Sequence, residues 1–555
     1  MGGLAIRDEG GIAKSLWTKS TNESIFAIYT PYILSLASGK LDSGSFLHCI
    51  SQDLRFLQAS VEAFEMAEEY SDDDDDKTVI HKIRKRVSKK MTMFRSIVQE
   101  WGFELPAGNI SDRAMIKYTD FLLATASGKA VGERFPGKVA TPFEKTKLSA
   151  YALAAMAPSM RLQSFLSKEI QSVLEPDENI HLYKKWIDSL ASQKYEDSAS
   201  QIEELLDKLT VCLTGEELQF VETIYHKAMQ LQVEFFSAQP IMQNTIVPLY
   251  QVHESEQHNV IICSGFDMTC SAVDSCALLA DIAIIKSSKA VNSNGYDSLP
   301  DGTLLDNRAI WSSLNGQYIK EYEQCIDSIM CTEKVTKFNF DSLCEALGEL
   351  SELEKAGNSR VENSGVLKGL HMDDIKWAGE HLVFQDGCLE FFKEIEKKKD
   401  VGVDAHILSY CWSGDLIRSA FCGSRFPDVH SNELIFDESI STGVILKKVQ
   451  CPIEKLQAFD EICKKKDGNV SVYIGGSVED MLCLLKADIG IVISPSANLK
   501  RLGGLFGFSF VPLFSGLVKK QRELIEGGCP SWNGLSGTLY TVSSWAEIHA
   551  FILGV

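Results

Sequence analysis

Two sets of side chains in this 555-residue chain have types and spacing suited to chemistry. The first set follows short apolar runs. Asp267 and Thr269 come in Gly265-Phe266-Asp267-Met268-Thr269 after one run, Ser409 ends a second, Lys455 stands shortly after Pro452, and Gly475-Gly476-Ser477-Val478-Glu479-Asp480 closes another. If those runs are parallel strands, a ligand binds at their carboxyl ends. A hydroxyl, a lysine and two carboxylates converging there can hold a phosphoryl group, with a carboxylate helping to bind Mg²⁺. Taken singly, Ser409 or Asp480 is more often a cap or turn residue; their order along the chain is the signal.

The second set lies on helical segments. In FLHCISQDLRFLQ, Asp53 stands three residues after Ile50, four before Leu57 and seven after Phe46, which puts its carboxylate on the apolar face. Glu234 lies on the margin of a stripe made by Ile224, Ala228, Leu231, Phe235 and Ala238. With Tyr118, two inward carboxylates suit a cationic or amine-bearing heterocycle, held by charge and aromatic contact while an acid moves protons. Hydrogen bonding to neighbouring helices explains either carboxylate equally well.

These residues need two different scaffolds. From about residue 15 to 240, apolar positions recur at three and four, which predicts a helical bundle. Within it, SDDDDDK (71–77) reads as a solvated loop between helices. Prolines and polar residues gather over 241–258, the expected linker. From 259 to 555, apolar runs (260–267, 405–410, 470–476, 487–494 and 508–513) alternate with helical stretches, which predicts a doubly wound parallel sheet. The charged helical stretch from about 305 to 400 falls between the first two runs and reads as a cap over the sheet's edge. The fold class expected is therefore multidomain, α followed by α/β.

Composition narrows the partners. A net charge of -21 repels phosphate backbones and gives no general basis for binding nucleic acid or anionic lipid. The 15 cysteines are scattered, without CxxC pairs or zinc spacing, so no disulfide framework or structural metal is indicated. The N-terminal residues lack a long apolar run and carry acids early, and the expected location is cytoplasmic.

The order and spacing of the C-terminal residues resemble the haloacid dehalogenase (HAD) superfamily, whose motifs are DxDxT, a Ser or Thr, a Lys, and GDxxxD. By this resemblance Asp267 matches the general acid/base, Thr269 the motif's threonine, Ser409 and Lys455 the phosphate contacts, and Asp480 a metal carboxylate. Gly265 occupies the nucleophile's position and Gly476 that of the fourth motif's first carboxylate. Glycine cannot form an aspartyl-phosphate, so the expectation is a degenerate site with residual or no phosphatase activity and, if any, a weak Mg²⁺ site at Asp267 and Asp480.

The helical half resembles the TenA family of thiamin breakdown and salvage, and TenA followed by HAD is the arrangement of plant bifunctional thiamin-salvage proteins. The resemblance implies that Asp53 grips an aminopyrimidine, Tyr118 lines the pocket and Glu234 is the catalytic glutamate, with no cofactor required. Ser159 stands where many relatives carry a cysteine nucleophile, and Gln163 replaces a pocket tyrosine one turn later. Three functions are expected from this: a repurposed acid/base enzyme acting on a small nitrogen heterocycle or amine, a retained aminopyrimidine aminohydrolase, or a non-catalytic binding protein. The resemblance also implies a homo-oligomer formed through the helical half.

Overall fold

The computed structural model describes residues 11–100, 102, 112–129, 142–174, 181–252, 260–293, 307–332, 334, 337–398, 402–421, 426–464, 469–527 and 532–555. The first ten residues, the end of the expected linker (253–258), residue 259 at the start of the expected second domain, and the extremities of the expected cap (305, 306, 399 and 400) lie outside them. The chain divides into two compact units: Met1–Pro248 with Leu517–Pro530 and Gly554–Val555, and Leu249–Gly516 with Ser531–Leu553. Among the described residues no helix is long and apolar enough to cross a membrane.

The first unit is built on helices α1 (Ser43–Tyr70), α2 (Asp74–Glu100), α3 (Arg113–Ala126), α4 (Pro142–Val173), α5 (Gln193–Thr210) and α6 (Gly215–Ser237). Local chemistry starts them. Asp42 accepts the Ser45 N–H at the head of α1, and Thr214 with Glu217 forms a capping box at the head of α6. Helix α1 packs on α2, α3 and α4, and α4 in turn on α5 and α6. Phe46, Ile50, Leu57 and Phe64 of α1 are therefore buried, and Asp53 is carried inside with them.

The acidic run at 71–77 is only partly the loop expected from sequence. Asp74, Asp75 and Asp76 form the first turn of α2, and Asp73 Oδ1 accepts the N–H groups of Asp75 and Asp76 at 2.7 and 3.4 Å. Carboxylates are stabilised at a helix start by its unpaired N–H groups and dipole, so the run opens a helix as well as joining two.

The second unit contains β1 (Val260–Ser264), β2 (Val403–Leu408), β3 (Asp428–His430), β4 (Glu433–Asp437), β5 (Ile440–Leu446), β6 (Val470–Gly475), β7 (Ile489–Ile493), β8 (Ser509–Pro512) and β9 (Thr538–Val542). Seven form one parallel sheet in the order β3-β2-β1-β6-β7-β9-β8; β4 and β5 pair separately as an antiparallel ribbon. Strands β3, β4, β5 and β9 are additional to the runs read from sequence. β3 is three residues long, and the ribbon turns Ile440, Val444 and Leu446 outward, so neither leaves a clear apolar run.

β1 lies between β2 and β6 in matching register, so the segments after these three strands emerge side by side. Between β1 and β2 the chain forms α7 (Ser275–Ser293), α8 (Asn307–Met330), α9 (Phe340–Ser364) and two shorter helices. This is the expected insertion, but it is more than a cover. Ile326 and Ile329 of α8 and Leu343 and Leu347 of α9 share one buried cluster with Tyr473 and Val492 of the sheet. Helix α10 (Pro452–Cys463), started by its proline, carries Lys455.

Candidate functional site

The carboxyl edge of the sheet brings Asp267, Ser409, Lys455 and Asp480 together. Asp267 accepts the Ser275 N–H at the start of α7 at 2.6 Å and the Ser409 hydroxyl at 3.3 Å. Burial, with Asp274 nearby, pushes its carboxyl up to about 6. Lys455 Nζ lies 2.7 Å from Asp480 Oδ1 in a fully buried ion pair. Oδ1 also accepts from the Tyr473 hydroxyl at 2.8 Å, while Oδ2 accepts from the N–H groups of Gly476 and Ser477 and from Ser477 Oγ at 3.1, 3.2 and 2.9 Å. Burial alone works against this charge; Lys455 and the hydroxyl donors outweigh it and hold Asp480 below the usual carboxylate range. Thr269 is buried, and its carbonyl accepts the Trp545 indole N–H at 2.9 Å.

At Gly265 the missing side chain has no empty space waiting for it. A Cβ there would stand 2.8 Å from Asp480 Oδ1 and 3.1 Å from Oδ2. At Gly476 a Cβ would stand 2.4 Å from the Ile493 carbonyl oxygen. The residues present do not fit the Mg²⁺ expected from the resemblance. Both oxygens of Asp480 are occupied by protein donors, and the two glycines supply no ligand. Among the described residues no group of three or more His, Cys, Asp or Glu is placed to hold a metal ion. Asp480, expected as a metal carboxylate, is in this structure the partner of Lys455. Beside Asp267 a cavity of about 170 Å³ opens against α8 and α9, lined by Trp311, Tyr318, Glu354, Trp412 and Glu479. Burial pushes the Glu354 carboxyl up to about 7.

In the helical unit, Gln163 on α4 donates Nε2 to Asp53 Oδ1 at 3.2 Å. Its Oε1 accepts from Lys90 Nζ at 2.6 Å and from the Tyr195 hydroxyl at 2.7 Å. Lys90 also lies over the Tyr195 and Phe94 rings, at 4.9 and 5.0 Å. Burial pushes the Asp53 carboxyl above its usual range, opposed by Lys90 and Gln163. Gln163 lines a cavity of only about 20 Å³ on the Asp53 side, with Cys49 and Phe235. Its partners Lys90 and Tyr195 line a much larger one of about 390 Å³, with Phe56 and Ser159. The first has room for a water rather than a ring. Burial pushes the Cys49 thiol far above neutrality, which leaves it protonated.

Tyr118 stacks on Phe56 with centroids 4.5 Å apart, and its hydroxyl accepts from Gln232 Nε2 at 2.9 Å. Glu234, expected as the catalytic glutamate, has a side chain that is 44% exposed and pairs with Lys117 on α3. Lys227, Gln230 and Ser237 share that exposed face at seven and four residues before and three after it, a polar stripe that the nearby apolar residues obscured. An inward polar group of α6 near this position is Gln232, four residues after buried Ala228, and that spacing was available in the sequence. Lys90 and Tyr195 were also missed. The signal for Lys90 was the basic run HKIRKRVSKK (81–90) in an otherwise acidic chain.

The two units define the class: a TenA-like all-α bundle joined to a HAD-like doubly wound parallel sheet bearing a helical insertion. No protein-family model matches the chain. It is 49% identical to the Arabidopsis thaliana "Bifunctional TH2 protein, mitochondrial", over 98% of this chain and 90% of that one. The chain belongs to the bifunctional TH2 family. Among solved structures it resembles a TenA family transcription regulator from a Silicibacter species (19% identity, TM-score 0.34, covering 41% of this chain and 95% of that one). It also resembles a phospho-aspartyl intermediate analogue of phosphoserine phosphatase (16% identity, TM-score 0.27, covering 44% and 91%).

Proposed function

We propose that this protein has lost phosphomonoester hydrolysis and works through its helical unit, which binds and acts on a small organic molecule. The observation that carries the first part is Gly265, a backbone hydrogen at the nucleophile's position with Asp480 filling the space where a side chain would begin. Without the nucleophile the rate falls by about 10⁴-fold or more, by analogy with other covalent catalysts. The surviving Ser409, Lys455 and Asp480 then hold the sheet's edge together.

In the helical unit, Asp53 is the carboxylate that takes the acid/base role expected of Glu234. A nitrogen heterocycle or amine is the ligand class that a buried carboxylate favours, and it reaches Asp53 when Gln163 gives up its hydrogen bond. The test uses thiamin monophosphate with Mg²⁺, and separately an aminopyrimidine. No phosphate from the first is expected; Mg²⁺-dependent phosphate release by the unaltered chain defeats the reading. Ammonia from the aminopyrimidine, lost in Asp53→Asn, identifies a retained aminohydrolase; no ammonia leaves a repurposed pocket. The cytoplasmic location expected from sequence stands against the mitochondrial label of the Arabidopsis relative, and cell fractionation separates the two. Light scattering of the purified chain tests the proposed homo-oligomer.

A further inference from the structure

The larger cavity of the helical unit has a character that neither Asp53 nor the family resemblance explains. It lies among α1, α2, α4 and α5, and its walls are mainly apolar, with Phe56, Phe64, Val87, Met93, Met156 and Ile202 facing in. Four cations, Arg86, Lys89, Lys90 and Lys194, line the same space, and no carboxylate does. In a chain of net charge -21, a cavity whose charges are all positive is a local inversion of the surrounding field.

The four cations are not equivalent. Lys90 is committed to Gln163 and Tyr195, and through the amide its charge opposes that of Asp53. Arg86 donates to Gln201, which is neutral. Among the described residues no salt bridge engages Arg86, Lys89 or Lys194. All three are exposed, so they stand where the cavity meets solvent while the apolar walls lie deeper. An apolar interior with uncompensated cations around its opening suits a ligand whose body is apolar and whose outer end is acidic.

We infer that this cavity binds an organic anion, its apolar body among Phe56, Phe64 and Met156 and its acidic group at Arg86, Lys89 and Lys194. The inference rests on the reading that the helical unit binds a small organic molecule, and it names that molecule's charge. An amine or ring nitrogen at the inner end of the same ligand is compatible with it; a ligand that is cationic at the outer end is not.

The test uses the full-length protein and three probes that share one chain and differ in head group: decanoate, decan-1-ol and decylammonium, titrated by calorimetry. Decanoate is expected to bind about tenfold more tightly than decanol, and decylammonium more weakly than either. Raising the salt concentration is expected to narrow the gap, because charges at an opening are screened. The Lys89→Ala/Lys194→Ala variant should bind decanoate no better than decanol. Ser198→Trp, at a partly exposed position on the cavity wall, should weaken all three by filling the space without disturbing the buried core. Equal affinity for decanoate and decanol, or tighter decylammonium, overturns the charge assignment; if Ser198→Trp still abolishes that binding, the ligand cavity itself survives. No binding of any probe by a protein whose circular dichroism is native overturns both the inference and the cavity reading on which it rests.

Discussion

Gly265 and Asp480 are in contact across the sheet's edge: a Cβ on residue 265 would lie 2.8 Å from Asp480 Oδ1. Asp480 is fixed there by Lys455, Tyr473, Gly476 and Ser477, so it does not swing aside for a larger neighbour. The absence of a side chain at residue 265 is thus bound up with how the remaining residues pack.

Restoring the carboxylates is expected to fail. Gly265→Asp presses on Asp480, and Gly476→Asp brings a Cβ to 2.4 Å from the Ile493 carbonyl, a backbone atom that moves only with its strand. Each change is expected to cost about 1–3 kcal/mol of stability. The double variant should show lowered chemical-denaturation midpoints and no Mg²⁺-dependent phosphate release. A stable double variant that hydrolyses thiamin monophosphate would show that the edge adapts.

The Lys455–Asp480 pair is expected to be structural. Lys455→Met strands a buried carboxylate among its remaining donors and should cost about 3–5 kcal/mol, as does breaking other buried ion pairs from one side. Urea unfolding measures it. A change below about 1 kcal/mol would mean that water reaches the site.

Stability should fall as pH rises from about 4 toward 6 to 7, and level off above. The Asp267 carboxyl is raised to about 6 and that of Glu354 to about 7, both by burial. A carboxyl raised on folding stays neutral without penalty below its unfolded value near 4, and ionising it inside the fold opposes folding progressively until pH passes the folded value. Asp267→Asn, which keeps one acceptor oxygen for the Ser275 N–H and turns an amide donor toward Ser409 Oγ, whose hydroxyl can then accept, should flatten the lower part of this slope and raise the melting temperature at pH 8. An unchanged slope in this variant would show that Asp267 is solvated.

Two neighbours on α6 should behave in opposite ways. Glu234→Gln breaks an exposed pair with Lys117 and should change stability by less than about 1 kcal/mol, with ligand binding and any turnover intact. Gln232→Leu removes the partner of the buried Tyr118 hydroxyl and should cost about 1–3 kcal/mol. Thermal melts and calorimetry on the two variants check this; loss of turnover in Glu234→Gln would return that residue to the site.

Gln163 is expected to hold the helical unit's two cavities apart. Gln163→Ala withdraws one hydrogen bond each from Asp53, Lys90 and Tyr195 and joins the spaces on either side. The result should be a less stable protein that binds an aminopyrimidine more tightly than the unaltered chain. Weaker or unchanged binding would place the ligand elsewhere.

Periodicity alone determined that this chain has a helical half and an α/β half, because burying one face of a helix or strand imposes a repeat on the sequence. The same logic placed Asp53 inside and lined up Asp267, Ser409, Lys455 and Asp480, since parallel strands deliver their C-terminal residues to one edge. Tertiary packing decided what those groups do. Whether Asp480 holds a metal or a lysine depends on Tyr473 and Ser477 reaching it first. Whether Asp53 faces a ligand or an amide depends on Gln163, 110 residues away. Glu234 and Gln232 are two positions apart on one helix, and their roles were settled by which face met α3's Tyr118 and which met water. Distances across the chain set these outcomes, and a linear pattern carries no record of them.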